Sequence, residues 1–343
     1  MGEVRQITIQ AYLDDAQLPP LIDVRSPGEY NNGHILGAHN VPLFSDSERA
    51  HVGTVYKHEG PKKAKEIGYA YVLPKLDTFV SEAERLASEG RVVVHCWRGG
   101  LRSHSFAEHL LKEGIADSPI ISGGYKAYRQ YMLASFEEEQ RMIVLAGYTG
   151  SAKTAILHEL RQQGEQIIDL EGYANHKGSA FGAIGEIEQP TTEHYHNILF
   201  SAWSGLSRIR NCWVEDEGIM IGRVNVPIPI FNQIRAAKTV FLEVPKKDRV
   251  QYLVDQYAHS GDELIADGLS RIKKRLGGLD FQKSIEALGH KDYHYIAERC
   301  LSYYDKYYLR SIKKRPESQV NHIVTNTIDP QVNADLILKR MTP

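Results

Sequence analysis

Cysteine is scarce: three residues, Cys96, Cys212 and Cys300, in a chain of 343. So few, so widely spaced, cannot form a disulfide framework or a zinc cluster, and they point to a reducing compartment where a cysteine with polar neighbours is a candidate nucleophile. Long apolar runs are also missing. Nothing approaches the ~18 uninterrupted apolar residues of a membrane span, and the opening MGEVRQITIQAYL lacks the basic, apolar and small-residue order of a signal peptide. A soluble, cytoplasmic protein with no membrane partner is therefore expected. Nor is there an excess of one charge: 41 Lys and Arg face 43 Asp and Glu, a net of −2, so any nucleic-acid surface must be local. No internal repeat or low-complexity tract is found. What is present is an ordinary globular composition, 42% apolar and 24% charged, in a chain long enough for two domains.

Short apolar runs alternate with amphipathic stretches, which is the pattern of α/β domains with parallel strands. Residues 21–24 and 92–95 read as buried strands running into loops, 73–88 has helical spacing, 106–112 reads as a helix, and 120–122 ends a strand before Gly123 and Gly124. Residues 131–141, with Glu137, Glu138 and Glu139, show little apolar periodicity. The boundary is placed there, giving a domain over 1–132, a linker over 133–141 and a second domain over 142–343. Within the second domain, strands are expected over 142–146, 166–170, 212–215, 239–244 and 320–325, with helices over 192–208, 230–237 and 330–340. From about 246 to 315 the pattern turns helical, basic and rich in tyrosine.

The first chemical site lies at the end of the second strand. His95 and Cys96 lead into Trp97, Arg98, Gly99, Gly100, Leu101, Arg102 and Ser103, a tight loop followed by helical spacing. Such a loop can turn successive backbone amides around the sulfur, with the helix N-terminus adding positive potential. Arg98 and Arg102 add charge, so thiolate should be favoured over thiol, and the same cradle suits an oxyanion. Cys212, inside an apolar strand, reads instead as structural. Upstream, Leu21 to Tyr30 (LIDVRSPGEY) and Gly33 to Pro42 (GHILGAHNVP), and downstream Pro119 to Tyr128, resemble the signatures of the rhodanese fold. Asp23 and Arg25 read as scaffold beneath the cysteine loop. The loop departs from ordinary sulfurtransferases in one respect, having five residues rather than four between Cys96 and Arg102. His-Cys-x5-Arg-Ser is also the signature of cysteine-dependent phosphatases, so the loop alone leaves two enzyme classes open.

The second site is a phosphate-binding loop. Met142 to Ala146 is a buried strand, then come Gly147, Tyr148, Thr149, Gly150, Ser151, Ala152, Lys153 and Thr154, followed by helical spacing, which is the context a P-loop requires. Amides from Gly150 to Thr154 would wrap a diphosphate, Lys153 would neutralise it, and the Thr154 hydroxyl could hold a magnesium ion. The full pattern has glycine where Ala152 stands, and the methyl group there should crowd the phosphate or strain the turn. Glu215, Asp216 and Glu217 end the strand over 212–215, where an acidic group, Asp216, would meet that magnesium ion.

Between these lies the polar, glycine-rich segment from Asp169 to Gly182, with Glu171, Asn175, His176 and Ser179, which reads as a binding loop. This string resembles the motif of the tRNA 2-selenouridine synthases, which share a rhodanese-like domain fused to a P-loop domain. Gln189 to Thr191, Val226 to Pro229, Arg271 to Gly278 and Leu301 to Asp305 extend the likeness over essentially the whole chain. Where that family continues the acidic strand end with Ser-Arg, this chain has Gly218 and Ile219.

The resemblance implies an N-terminal rhodanese-like domain and a C-terminal P-loop α/β domain with a helical, basic extension. It also implies replacement of sulfur by selenium in wobble 2-thiouridine, with selenophosphate and geranyl diphosphate as co-substrates. Cys96 would carry selenium as a selanyl-sulfide, Arg98 and Arg102 would bind selenophosphate, and the partners would be the tRNA anticodon loop and a selenophosphate-producing enzyme. For tRNA, the basic runs 246–249, 271–275 (Arg271, Lys273, Lys274, Arg275) and 310–315 offer phosphate contacts, and the tyrosines among them, Tyr252 to Tyr308, could stack on bases. A cysteine phosphatase, a P-loop small-molecule kinase and a non-catalytic tRNA-binding protein stand as alternatives.

Overall fold

The computed structural model describes residues 4–341, which pack as two units divided between Ser135 and Phe136. The N-terminal unit is built on five parallel strands: β1 (Gln6–Ile7), β2 (Leu21–Asp23), β3 (His39–Asn40), β4 (Val93–His95) and β5 (Ile120–Ile121), in the order β1-β5-β4-β2-β3. The inner strands read as continuous apolar runs because helices cover both faces of a parallel sheet. Ile22, Val24, Val94, Phe79, Phe106 and Leu110 form the core. Two helices here, Asp46–His58 and Pro61–Val72, were not expected from periodicity. Their signals are at their starts, a capping box of Ser45 and Glu48 for one and Pro61 at the first turn of the other.

The C-terminal unit carries a second parallel sheet of β6 (Met142–Gly147), β7 (Gln166–Ile168), β8 (Cys212–Glu215), β11 (Lys238–Glu243) and β12 (Val320–Val324), in the order β12-β11-β6-β8-β7. A small antiparallel pair, β9 (Met220–Ile221) and β10 (Val224–Asn225), lies apart from it. β6 is central and wholly buried, with β8 on one side and β11 on the other. The loop leaving its C-terminal end therefore opens at the point where strand order reverses, the usual crevice of such sheets. Leu145, Trp213 and Leu242 pack with Leu157 and Ile337 from the flanking helices Lys153–Gln162 and Pro330–Met341. Four further helices follow, Lys246–Tyr257, Asp262–Leu276, Gly278–Gly289 and Tyr293–Ile312, and the last three share a core of their own around Leu269, Ile272, Leu288 and Ile296.

Of residues 133–141, the first three complete the helix Gly124–Ser135. Phe136 is fully buried against Trp203, and the Gln140 amide donates to the carbonyls of Ser207 and Arg210. Among the described residues no helix is long and apolar enough to cross a membrane.

Beneath the cysteine loop lies a buried ion pair. Asp23 and Arg25 have no exposed side-chain surface and meet at 2.6 Å. The guanidinium also donates to the Gly33 carbonyl and lies 3.8 Å from the centre of the Tyr125 ring. Burial works to raise the Asp23 carboxyl, but His95 and Arg25 outweigh it and hold the group below the usual carboxylate range. Removing one partner of such a pair strands the other charge in the interior, at a cost of about 3–5 kcal/mol. Asp23→Ala should therefore lower the stability of the N-terminal unit by about that amount in denaturant titration. Asp117→Ala, which breaks the surface pairs with Arg5 and Arg91, should cost under about 1 kcal/mol, and equal effects would show that the buried pair is not a special support.

Candidate active site

In the N-terminal unit the chain leaves β4 at Cys96 and returns into the helix Leu101–Lys112. The loop has to turn its carbonyls outward, and the next helix takes them: the amides of Tyr125 and Lys126 donate to the carbonyls of Cys96 and Trp97 at 2.9 and 3.0 Å. This requires close approach of two backbones. Gly124 lies at φ +57°, and a Cβ there would collide with the Cys96 carbonyl oxygen. Gly99, at φ +63°, faces the same turn.

Cys96 is buried, and its Sγ lies 3.3 Å from the Ser103 hydroxyl. Trp97 packs at an angle on Tyr125, while Arg98 and Leu101 are exposed. Arg102 turns back to Glu29, its two terminal nitrogens 2.8 and 3.3 Å from the carboxylate oxygens. That carboxylate also accepts from the Ser26 amide in a capping box. Arg102 thus already has an anionic partner at the mouth of the loop.

In the C-terminal unit, Gly147 to Thr154 form the phosphate loop after β6. Gly150 has φ +79°, and Ala152 is held in the left-handed region at φ 55°, ψ 31°. The missing glycine is thus a backbone matter, because a non-glycine residue in that region costs about 1–2 kcal/mol. The Ser151 hydroxyl donates to the Tyr148 carbonyl, and Lys153 Nζ reaches the Gly147 carbonyl at 3.4 Å. Behind the loop stands Arg249, buried, bonded to the Thr149 carbonyl and paired with both oxygens of Asp305. Arg249 belongs to a run expected on a nucleic-acid surface, and here it is internal.

Three glutamates meet the loop. The Thr154 hydroxyl lies 2.7 Å from Glu215 Oε1 and 3.2 Å from Glu171 Oε2. Glu171 and Glu217 both converge on Gly178, where any side chain would strike them. Burial, then Glu217, raises Glu171 well above the usual range, and burial, then Glu171, does the same to Glu215. Burial, with Glu215 beside it, brings Glu217 to about 7. Lys153 works against all three.

Asp216, expected as the acidic partner of a magnesium ion on Thr154, points elsewhere. Side chains alternate at a strand end, and Asp216 is held by Arg235 and by Arg315, the latter at 2.8 Å. Asp216 therefore faces two arginines, and the carboxylate nearest the Thr154 hydroxyl is that of Glu215. Arg315, expected on the tRNA surface, is buried by this pairing.

The segment after β7 closes the site from the side. Asp169 caps the helix Leu170–Ala174 through the Gly172 amide and bonds His158 at 2.8 Å. Asn175 ends that helix in the left-handed conformation and donates to the Glu188 carbonyl. His176 is buried, with its Nδ1 lacking a hydrogen-bond partner, and the Ser179 hydroxyl accepts from the Phe181 amide. His158, Asp169, His176 and Ser179 border a cleft of about 1490 Å³ that joins the phosphate loop to the helical extension. Tyr252, Tyr257, Tyr304 and Tyr308 line it, as do exposed Arg271, Arg275 and Arg310. Lys273 and Lys274 do not line it, and Lys273 instead lies over the Phe281 ring. Tyr308 and Arg249, both read from the sequence as parts of a tRNA surface, stand instead at the phosphate loop, Tyr308 beside Lys153 and Arg249 on the Thr149 carbonyl. The spacing of Cys300, Tyr304 and Tyr308 along one helical face was the available signal for the first.

The backbone at Ala152 gives a direct test. Ala152→Gly should leave stability within about 1 kcal/mol of the parent, because relief of the left-handed strain offsets the added freedom of the unfolded chain. Ala152→Val should lose about 1–3 kcal/mol in the same denaturant titration.

Comparison with known proteins gives the same pairing of domains. The rhodanese-like domain family matches residues 8–131, and the tRNA 2-selenouridine synthase AAA domain family matches residues 140–329. The tRNA 2-selenouridine synthase of Bdellovibrio bacteriovorus is 34% identical, covering 86% of this chain and 89% of its own. That of Shewanella sediminis is 35% identical, over 76% of this chain and 75% of its own. The Nitrosomonas europaea protein of the same name is 31% identical, over 86% and 90%. With identity of this order sustained through both units, the chain belongs to the tRNA 2-selenouridine synthase family.

Proposed function

We propose that this enzyme acts on the wobble uridine of tRNA anticodons, replacing the sulfur of 2-thiouridine by selenium from selenophosphate. The sulfur is first alkylated from geranyl diphosphate, which makes it a better leaving group. In this reading the phosphate loop and Lys153 hold the diphosphate, while Cys96, in its cradle of amides, carries the selenium. Arg102 exchanges Glu29 for the selenophosphate anion.

The observation that supports the reading best is the character of the cleft. Beyond the phosphate loop its wall carries Phe181, Leu253, Ile265 and Ile296, apolar side chains suited to a prenyl chain. Its exposed arginines suit RNA phosphates, and Tyr307, 62% exposed at the same cleft, offers a face for a base.

Cys96→Ser should abolish selenouridine formation yet leave geranylation and tRNA affinity near parental values, as read by nucleoside mass spectrometry and a tRNA binding curve. Lys153→Ala should weaken geranyl diphosphate binding ten- to a hundredfold, the equivalent of about 1.5–3 kcal/mol for one charge-assisted contact, with ATP as a control ligand. Parental geranylation by Lys153→Ala would remove the diphosphate from this loop, and preferential ATP hydrolysis would favour a kinase.

The tRNA surface has its own test. Charge reversal at Arg271 and Arg275 should weaken tRNA binding and reduce the magnitude of its log–log salt slope by about 0.7–0.9 per lost phosphate contact. Reversal at Lys273 and Lys274, which lie off the cleft, should do less. The opposite ranking would put the RNA on another face.

A further inference from the structure

The cleft does not stop at the phosphate loop and the arginines. Ile265, Ile272, Ile296, Ala297 and Cys300 line it and are at the same time buried, so its far end reaches into the core shared by the last three helices of the extension. An anion loop at one end and hydrocarbon at the other suit a ligand with a charged head and an apolar tail. We propose that this apolar end gauges the prenyl chain, and that Ala297, Cys300 and Phe181 decide which chain length the enzyme accepts. The inference rests on the geranylation reading above and names the residues that set its substrate.

The helix Tyr293–Ile312 runs along the cleft. Ala297, Cys300, Tyr304 and Tyr308 follow one another at three- or four-residue intervals, so they share one face, and all of them line the cleft. At one end of that face Lys153 Nζ lies over the Tyr308 ring, 5.4 Å from its centre, which puts the diphosphate end there. Toward the other end the side chains shrink from tyrosine to cysteine and alanine, and that leaves the slot open. Burial pushes the Cys300 thiol up to about 12, so it stays neutral and behaves as a small apolar group.

The helix supplies a ruler. Cys300 stands eight residues before Tyr308, which at a rise of 1.5 Å per residue is about 12 Å. With carbon–carbon bonds of about 1.5 Å, an extended four-carbon main chain spans roughly 4 Å, an eight-carbon chain roughly 9 Å and a twelve-carbon chain roughly 14 Å. A dimethylallyl chain therefore ends among the tyrosines. A geranyl chain ends within van der Waals contact of Cys300, and a farnesyl chain runs past it toward Ala297.

Phe181 is held against the same slot. The Ala180 amide donates to the Tyr304 hydroxyl and the Ala180 carbonyl accepts from Arg271, both at 3.2 Å, so the segment is tied to two helices. The Phe181 ring lies on Gly268, where no Cβ has room, and Tyr257 flanks it with ring centres 6.2 Å apart. A slot with walls fixed in this way discriminates by fit, at about 10- to 200-fold per methylene. The volume is also sufficient. One small ligand takes about 300–1,000 Å³, and about 1490 Å³ accommodates a prenyl diphosphate and a nucleoside together.

The test uses the full chain, thiolated tRNA and the dimethylallyl, geranyl and farnesyl diphosphates. kcat/KM is measured for each, and inorganic diphosphate is titrated as a probe of the phosphate loop. The parent should prefer geranyl to dimethylallyl by about 10²-fold or more. Cys300→Leu, which extends a side chain into the slot, should lower the geranyl-to-dimethylallyl ratio by about tenfold or more. Phe181→Ala, which removes bulk, should raise the farnesyl-to-geranyl ratio by about the same factor. Both variants should bind inorganic diphosphate like the parent. If either ratio stays within about threefold of the parent value, less than one methylene is worth, the inference falls and the proposed function stands. A uniform loss for all three chains with inorganic diphosphate still bound also overturns it, since a merely structural role produces that result. Should one variant lose inorganic diphosphate as well, the other decides by its own ratio. A parent that alkylates with none of the three overturns the proposed function and this gauge with it.

Discussion

Both sites depend on one constraint: a strand buried in the middle of a parallel sheet must release its chain into a loop whose amides face inward. The carbonyls of such a loop need partners elsewhere, or the cradle fills with the wrong end of the peptide dipole. In the N-terminal unit the helix Gly124–Ser135 supplies those partners, which is why two glycines lie back to back beside Cys96. In the C-terminal unit the Thr149 carbonyl is taken by Arg249, itself anchored by Asp305. The sheets thus provide two strand-end loops built alike with different chemistry at the centre, a thiol in one and an ammonium group in the other.

The C-terminal site is unusual in its surplus of acid. Glu171, Glu215 and Glu217 surround a single lysine in a buried setting. Such an arrangement persists because protons and the Thr154 hydroxyl share the charge, and it has a cost in stability. Since these carboxyls are raised in the folded protein, folding binds protons between the unfolded carboxyl range and neutrality, so stability declines as pH rises through that interval. A site that gives up stability in this way is a natural place to look for function.

Much of this was legible in the sequence because strand, glycine loop and helix start are local features. The ends of β4 and β6 and the residues of both loops lie where apolar runs and glycines put them. The parts that were not legible depend on partners far along the chain. Arg249 and Arg315 look like surface charge in a helical, basic stretch, but they pair with Asp305 and Asp216, the latter 99 positions from Arg315. Asp216 was chosen over Glu215 although strand alternation distinguishes them. Ala152 was read as crowding the phosphate or straining the turn, and its left-handed backbone is the second of these. The helices Asp46–His58 and Pro61–Val72 were missed because their apolar spacing is weak and only their capping residues mark them.

The account stands on the claim that one enzyme uses both loops to exchange sulfur for selenium on tRNA. Nucleoside mass spectrometry of tRNA from a strain lacking this gene, before and after it is restored, addresses that most directly. The account predicts 2-thiouridine without 2-selenouridine in the deletion strain, and recovery of 2-selenouridine on restoration. Undiminished 2-selenouridine in the deletion strain would contradict it.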